Sequence, residues 1–128
     1  MDGLARYDDL GAGVLGRPER MVLTHGEPHR GNTITTASGV VLIDWDTALL
    51  APPERDLWAM ADEEPSILDE YEEMTGRRPD ATALDCYRLW WTLTEISLFV
   101  DQLRRPHGDD DDTRVAWSAL TRYLDPRR

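Results

Sequence analysis

Residues 81–104 constrain the fold more than any other stretch of this chain. Leu89, Leu93, Ile96, Val100 and Leu103 step by four, three, four and three, which is one face of a helix. Leu84, Trp91 and Leu98, seven apart, lay a second apolar stripe along the same helix. A helix that is apolar on two sides must be covered on both, so it is predicted to be the central core helix. The rest of the chain has to supply the cover, and most of it also reads as helix. Leu4, Tyr7, Leu10 and Val14 recur at helical spacing within 1–16. Pro52-Pro53 followed by Glu54 and Asp56 predicts a helix over 54–62, with its acids in the turn where the helix dipole favours them. Pro65 opens another helix that runs to about Thr75 and is closed by Gly76. Trp117, Leu120 and Leu124 mark a last one over 113–124. Asp109-Asp110-Asp111-Asp112 precedes it. That run is read as a solvated charge cluster capping the helix, with a metal trap as the alternative.

Strand signals are confined to the first third. Met21-Val22-Leu23 is a short apolar run. Thr33–Thr36 and Val40–Ile43 are β-prone and are joined by Ala37-Ser38-Gly39, predicting a hairpin with a three-residue connection. The expected fold is therefore mainly α with one small β-hairpin. At 128 residues, without internal repeat or linker, residues 1–128 are expected to form a single domain.

Composition narrows the partners. Hydrophobic residues make up 41% and include five tryptophans, enough for a packed core. The formal net charge is −11, which disfavours nucleic acid and anionic membrane surfaces as partners. No apolar run approaches the ~20 residues that span a bilayer. Met1–Arg6 lacks the layout of a signal peptide, and Cys86 is the single cysteine, so no internal disulfide can form. These features together predict a reducing, cytoplasmic setting. All 14 basic residues are arginines, and there is no lysine.

The chemistry gathers around the hairpin. His25-Gly26-Glu27-Pro28-His29-Arg30-Gly31-Asn32 holds five side chains that can bind ligands or move protons, on a stretch whose Gly and Pro forbid a regular helix. The hairpin that follows returns Asp44 to this loop. Asn32 and Asp44 are hard oxygen donors, a pair that suits Mg²⁺ completed by phosphate oxygens. His25, Glu27 and His29 alternate like a zinc triad, but Gly26 and Pro28 make the required strand a poor prediction. Asp46 is read as either a second acid at the metal or a turn-capping carboxylate. Glu95, midway along the core helix, either faces a substrate cleft and binds a cationic amine or pairs with an arginine or solvent. Cys86 is read as a buried small hydrophobe.

The order and spacing of these residues follow kinase catalytic loops, in which His-x-Asp, an Asn five residues on, a hairpin and a metal-holding Asp succeed one another. His25-Gly26-Glu27, Asn32, Ile43-Asp44-Trp45, Pro52-Pro53 and Asp56-Leu57 resemble, in order, the motifs of the aminoglycoside phosphotransferase family. The resemblance spans about a quarter of the chain. It implies the C-terminal lobe of a protein-kinase-like α+β fold and transfer of the γ-phosphoryl group of ATP, with Mg²⁺, to the hydroxyl of a small molecule, and the acidic charge of the chain would suit a cationic one. It further implies Glu27 as the catalytic carboxylate beside that hydroxyl, Asn32 and Asp44 as metal ligands, and His25 and Asp56 as braces of the loop. Glu95 and Asp46 are the candidates for contacting substrate.

Two departures accompany the resemblance. The family motif usually has Asp where Glu27 stands. With 24 residues before His25 and no lysine, the nucleotide-covering N-terminal lobe is expected to be absent. An incomplete transferase lobe and a non-catalytic remnant or binding module are both compatible with that. An open cleft wall predicts either self-association or a partner that supplies the N-terminal lobe.

Overall fold

The computed structural model describes residues 3–125; Met1 and Asp2, where the first helix was expected to start, lie outside them. Helix α1 (Gly3–Leu15) leads through a 3₁₀ turn (Pro18–Arg20) into strand β1 (Val22–Thr24). A second 3₁₀ turn (Arg30–Asn32) precedes β2 (Thr33–Thr36) and β3 (Gly39–Leu42), and β4 (Leu49–Ala51) follows. Helices α2 (Glu54–Glu63), α3 (Ile67–Thr75), α4 (Ala81–Arg104) and α5 (Asp111–Tyr123) complete the chain.

Helix α4 is the hub that its two stripes predict, with α1, α2 and α5 packed on it. Val14 of α1 meets Ala83 and Cys86 of α4 in a buried cluster, flanked by Tyr7, Leu10 and Tyr87. Burial pushes the Cys86 thiol up and raises Tyr87 to about 12. The far end of α4 is more open, and Leu98 is exposed there.

Helix boundaries follow local chemistry. Asp80 caps α4 by accepting the backbone N–H groups of Thr82 (2.8 Å) and Ala83 (3.3 Å). Gly76 ends α3 at φ 69°, the left-handed conformation that favours glycine. The acidic run before α5 is a cap: Asp110 accepts from Thr113 N at 2.8 Å, and Asp109 and Asp111 pair with Arg114.

The β-structure is richer than one hairpin. β2 and β3 pair antiparallel from Thr33↔Leu42 to Thr36↔Gly39. That register leaves Ala37 and Ser38 as a two-residue turn, because Gly39 at φ 134° joins the strand. The Thr36 hydroxyl closes the turn by donating to the Gly39 carbonyl (3.0 Å). A second ribbon pairs β1 with β4, Val22↔Ala51 to Thr24↔Leu49. β4 has no signature of its own. It is a strand because β1 lies beside it.

A buried junction ties the ribbons to the helices. Glu54, fully buried at the start of α2, pairs with Arg20 and accepts the Asp80 N–H at 2.6 Å, while Asp80 also pairs with Arg17 at 2.7 Å. Burial alone would raise the Asp80 carboxyl. The N–H groups of Ala83 and Thr82 and the guanidiniums of Arg17 and Arg20 outweigh it and hold the carboxyl below its ordinary value.

Candidate active site

The loop after β1 is held from three directions. Asp56, in the first turn of α2, accepts the backbone N–H groups of His25 and Gly26, each at 2.7 Å. Such double acceptance fixes both peptide planes and leaves the loop little freedom. The buried His25 ring is bound at both nitrogens: Glu27 N–H donates to Nδ1 (3.2 Å), and Nε2 lies 2.8 Å from the Ile43 carbonyl. A carbonyl needs a donor, so the proton sits on Nε2. Trp45 packs its ring against His25 at 4.7 Å between centroids, and Thr47 donates to the His25 carbonyl at 2.8 Å. With both nitrogens committed, His25 cannot join Glu27 and His29 around a zinc ion, and no group of three His, Cys, Asp or Glu suited to a metal occurs among the described residues.

Arg55 forms the floor. It is buried and donates to the Thr24 hydroxyl (2.8 Å) and the Thr47 carbonyl (2.9 Å). Gly26 crosses its guanidinium at φ 100°, and a Cβ there would collide with it. Glycine is required twice over, by the backbone angle and by the contact.

Beyond Gly26 the loop turns on itself. The Glu27 carbonyl accepts His29 N–H (2.9 Å) and the Asn32 side-chain Nδ2 (3.0 Å). That bond orients the Asn32 amide and leaves Oδ1 as its open atom. His29 Nδ1 accepts Gly31 N–H at 3.1 Å. Asn32 O then accepts Ile43 N–H at 2.9 Å, extending the β2–β3 ladder by one rung. The ladder thereby brings Asn32 level with Ile43, and Asp44 follows directly, exposed and at φ 65°.

A groove of about 620 Å³ opens beside the loop. Its loop end carries Gly26, Glu27, His29, Arg30 and Arg55; Trp58 and Trp91 form its apolar wall; Glu63 and Glu64 stand at its far end. The Glu27 carboxylate engages no partner among the described residues. Asp46 lies in the turn closed by Ala48 N–H on the Trp45 carbonyl (3.1 Å), and Glu95 is half-buried one helical turn past Trp91. Neither lines the groove. Glu63, Glu64 and Arg55 do, and none of them stands out in the sequence. Glu63 and Glu64 read as an ordinary polar helix end. The one signal for Arg55 is its place beside Asp56, one residue from the loop's brace.

Known proteins fit this geometry. The sequence model of the APH phosphotransferase enzyme family matches residues 5–90. Over 112 residues, 87% of this chain, the sequence is 40% identical to Protein StrN of Streptomyces griseus, covering 32% of that protein. Two crystal structures of the spectinomycin phosphotransferase APH(9)-Ia share the fold. One is a complex with ADP and spectinomycin (TM-score 0.72), and the other is AMP-bound (TM-score 0.70). Both are 22% identical and cover 98% of this chain and 41% of theirs. The chain thus spans about a third of the curated relative and about two fifths of the solved ones. From the match to the family model over residues 5–90 and the 40% identity over 87% of its length, the chain belongs to the APH phosphotransferase enzyme family.

Proposed function

We propose that these residues form the acceptor-binding, catalytic-loop half of an ATP-dependent phosphotransferase acting on a small, cationic hydroxyl compound. The observation that carries the reading is the Glu27 carboxylate, without a partner among the described residues at the loop end of the groove, on a loop whose Asn32 pairs with Ile43, the residue before Asp44. In the proposed reaction the substrate oxygen attacks the γ-phosphorus, the bond from that phosphorus to the ADP oxygen breaks, and Glu27 takes the hydroxyl proton.

The donor set fits Mg²⁺. Asn32 Oδ1 is left free by the bond that its Nδ2 makes, and the exposed Asp44 carboxylate makes no hydrogen bond among the described residues. A bound cation would offset charge on the transferring phosphoryl group. The nucleotide is proposed to be held from outside these 128 residues, which contain no lysine to pair with its phosphates.

The groove supports a cationic acceptor. Glu63 ends α2 eight residues past Arg55, or ~12 Å at the helical rise, and Glu64 follows it directly. An amine at that end and a hydroxyl at Glu27 would bracket the two tryptophans, which suit the apolar face of a ring. The volume falls in the usual range for small-molecule sites, about 300–1,000 Å³. No helix among the described residues is long and apolar enough to cross a membrane.

Titration with Mn²⁺ as a paramagnetic NMR probe tests the metal site. Broadening is expected to centre on Asn32 and Asp44 and to vanish in Asp44→Ala. Broadening centred on Asp109–Asp112 would remove the metal assignment. Spectinomycin and simpler amines, followed by Trp58 and Trp91 emission, test the acceptor site. Glu63→Gln together with Glu64→Gln should weaken amine binding, and unchanged binding counts against a cationic acceptor.

A further inference from the structure

Arg55 is a buried cation without a direct ion pair among the described residues. The residue is 8% exposed, and its two hydrogen bonds go to neutral oxygens, on Thr24 and Thr47. It forms no ion pair among the described residues. Those two bonds use two of the five N–H groups that a guanidinium carries. The nearby Asp56 carboxylate is engaged by the N–H groups of His25 and Gly26 rather than by the guanidinium, so a ligand that paired with Arg55 directly would offset part of the cost of its burial. Arg55 lines the groove between Gly26 and Trp58, and Arg30, whose side chain is free of hydrogen bonds among the described residues, lines it nearby.

We infer that the Gly26–Arg55 end of the groove is an anion site whose ligand is a phosphate monoester, the form that a hydroxyl compound takes after phosphoryl transfer. A monoester brings about −1.5 to −2 charges at pH 7 and acceptor oxygens for the unused N–H groups of Arg55. Gly26 packs directly on the guanidinium, so the ester meets Arg55 from the groove that both residues line. Glu27, once it has taken the hydroxyl proton, is uncharged and no longer repels the ester beside it. The source of the ester rests on the phosphotransfer reading. The guanidinium's lack of an ion pair does not.

The test is equilibrium binding to the 128-residue chain at low salt, without nucleotide or metal. Glycerol 3-phosphate, glycerol and inorganic phosphate are titrated while the Arg55 Nε–H and Gly26 N–H resonances are followed. The ester should move both resonances and glycerol neither. Arg55→Gln should weaken the ester about tenfold, Arg17→Gln, in a separate cleft, should leave it unchanged, and Glu27→Gln should tighten it. A wild-type Arg55 resonance that stays still at saturating ester overturns the inference, even if Arg55→Gln fails to fold. So does inorganic phosphate that binds as tightly as the ester, or a Glu27→Gln protein that binds no tighter. If Mn²⁺ misses Asn32 and Asp44 while the ester still binds, the phosphotransfer reading fails and the anion site stands. The reverse pattern removes the anion site alone.

Discussion

Asp44 is the one non-glycine residue among the described residues with a positive φ, 65°. The left-handed region disfavours a Cβ, and Asp and Asn are among the few residues that visit it routinely. Among the described residues the Asp44 side chain has no hydrogen-bond partner to offset this, so the conformation is held by the hairpin behind it and the Trp45 turn ahead of it. Strain of this kind concentrates where a side chain must be presented. Asp44→Asn should therefore leave stability within a few tenths of a kcal/mol, while Asp44→Ala should lose about 1 kcal/mol. Urea unfolding midpoints measure both, and equal midpoints would show that the backbone sets no preference. Glu27 carries a different prediction. In an assembly completed by a lysine-bearing nucleotide lobe, Glu27→Gln should lower kcat by about 10²–10⁴-fold with ATP affinity nearly unchanged. Glu27→Asp should recover only part of that, since a displacement of about 1 Å costs on the order of 10²-fold. A Glu27→Gln enzyme as fast as its parent would remove Glu27 from the mechanism. An Asp variant faster than the parent would mark Glu27 as a relic in a non-catalytic remnant.

The elements owe their ends to a few polar residues, and Asp80 carries the most. It caps α4 through Thr82 and Ala83 and reaches Arg17 across the junction with α1. Its folded-state carboxyl is held below the ordinary value of 3.8. The unfolded chain therefore binds that proton more readily, and protonation favours unfolding. The stabilisation is fully present above pH 3.8 and is lost as pH falls from there through the lowered value. Asp80→Asn should flatten the acid limb of stability plotted against pH, measured by thermal melts between about pH 5 and 2. A limb identical to the parent's would place the acid sensitivity elsewhere. Most of these ends are legible locally: Gly76 stops α3, Pro53 and Glu54 start α2, and Asp110 caps α5. The ribbons are less so. Ala37-Ser38-Gly39 predicts a three-residue connection, but the Thr36 hydroxyl and the positive φ of Gly39 tighten it to two.

At the scale of the whole molecule, both ribbons turn apolar residues to water. Leu23 (65% exposed) faces Leu50 (71%) across β1–β4, and Ile34, Val40 and Val41 are exposed on β2–β3. Apolar residues exposed in this way on a ribbon predict an interaction face. Environment-sensitive dyes should bind the chain, and Leu23→Thr with Leu50→Thr should reduce that binding and any self-association in sedimentation. A parent that stays monomeric at high concentration and binds no dye would oppose this. By itself the sequence determined the helices, the core role of α4 and the order of the loop residues, from His25 through Asn32 and Asp44 to Asp56. Those depend on periodicity, caps and turn residues, all of which act over a few positions. Only the tertiary structure decided which charges share the groove. Glu63 and Glu64 face it while Glu95 and Asp46 do not, and Arg55 lies beneath Gly26. Those placements are set by contacts between distant segments, as where Arg55 meets Thr24 across 31 residues of chain. A pattern repeating every few residues tells which side of a helix is apolar, but not which neighbour that side will meet.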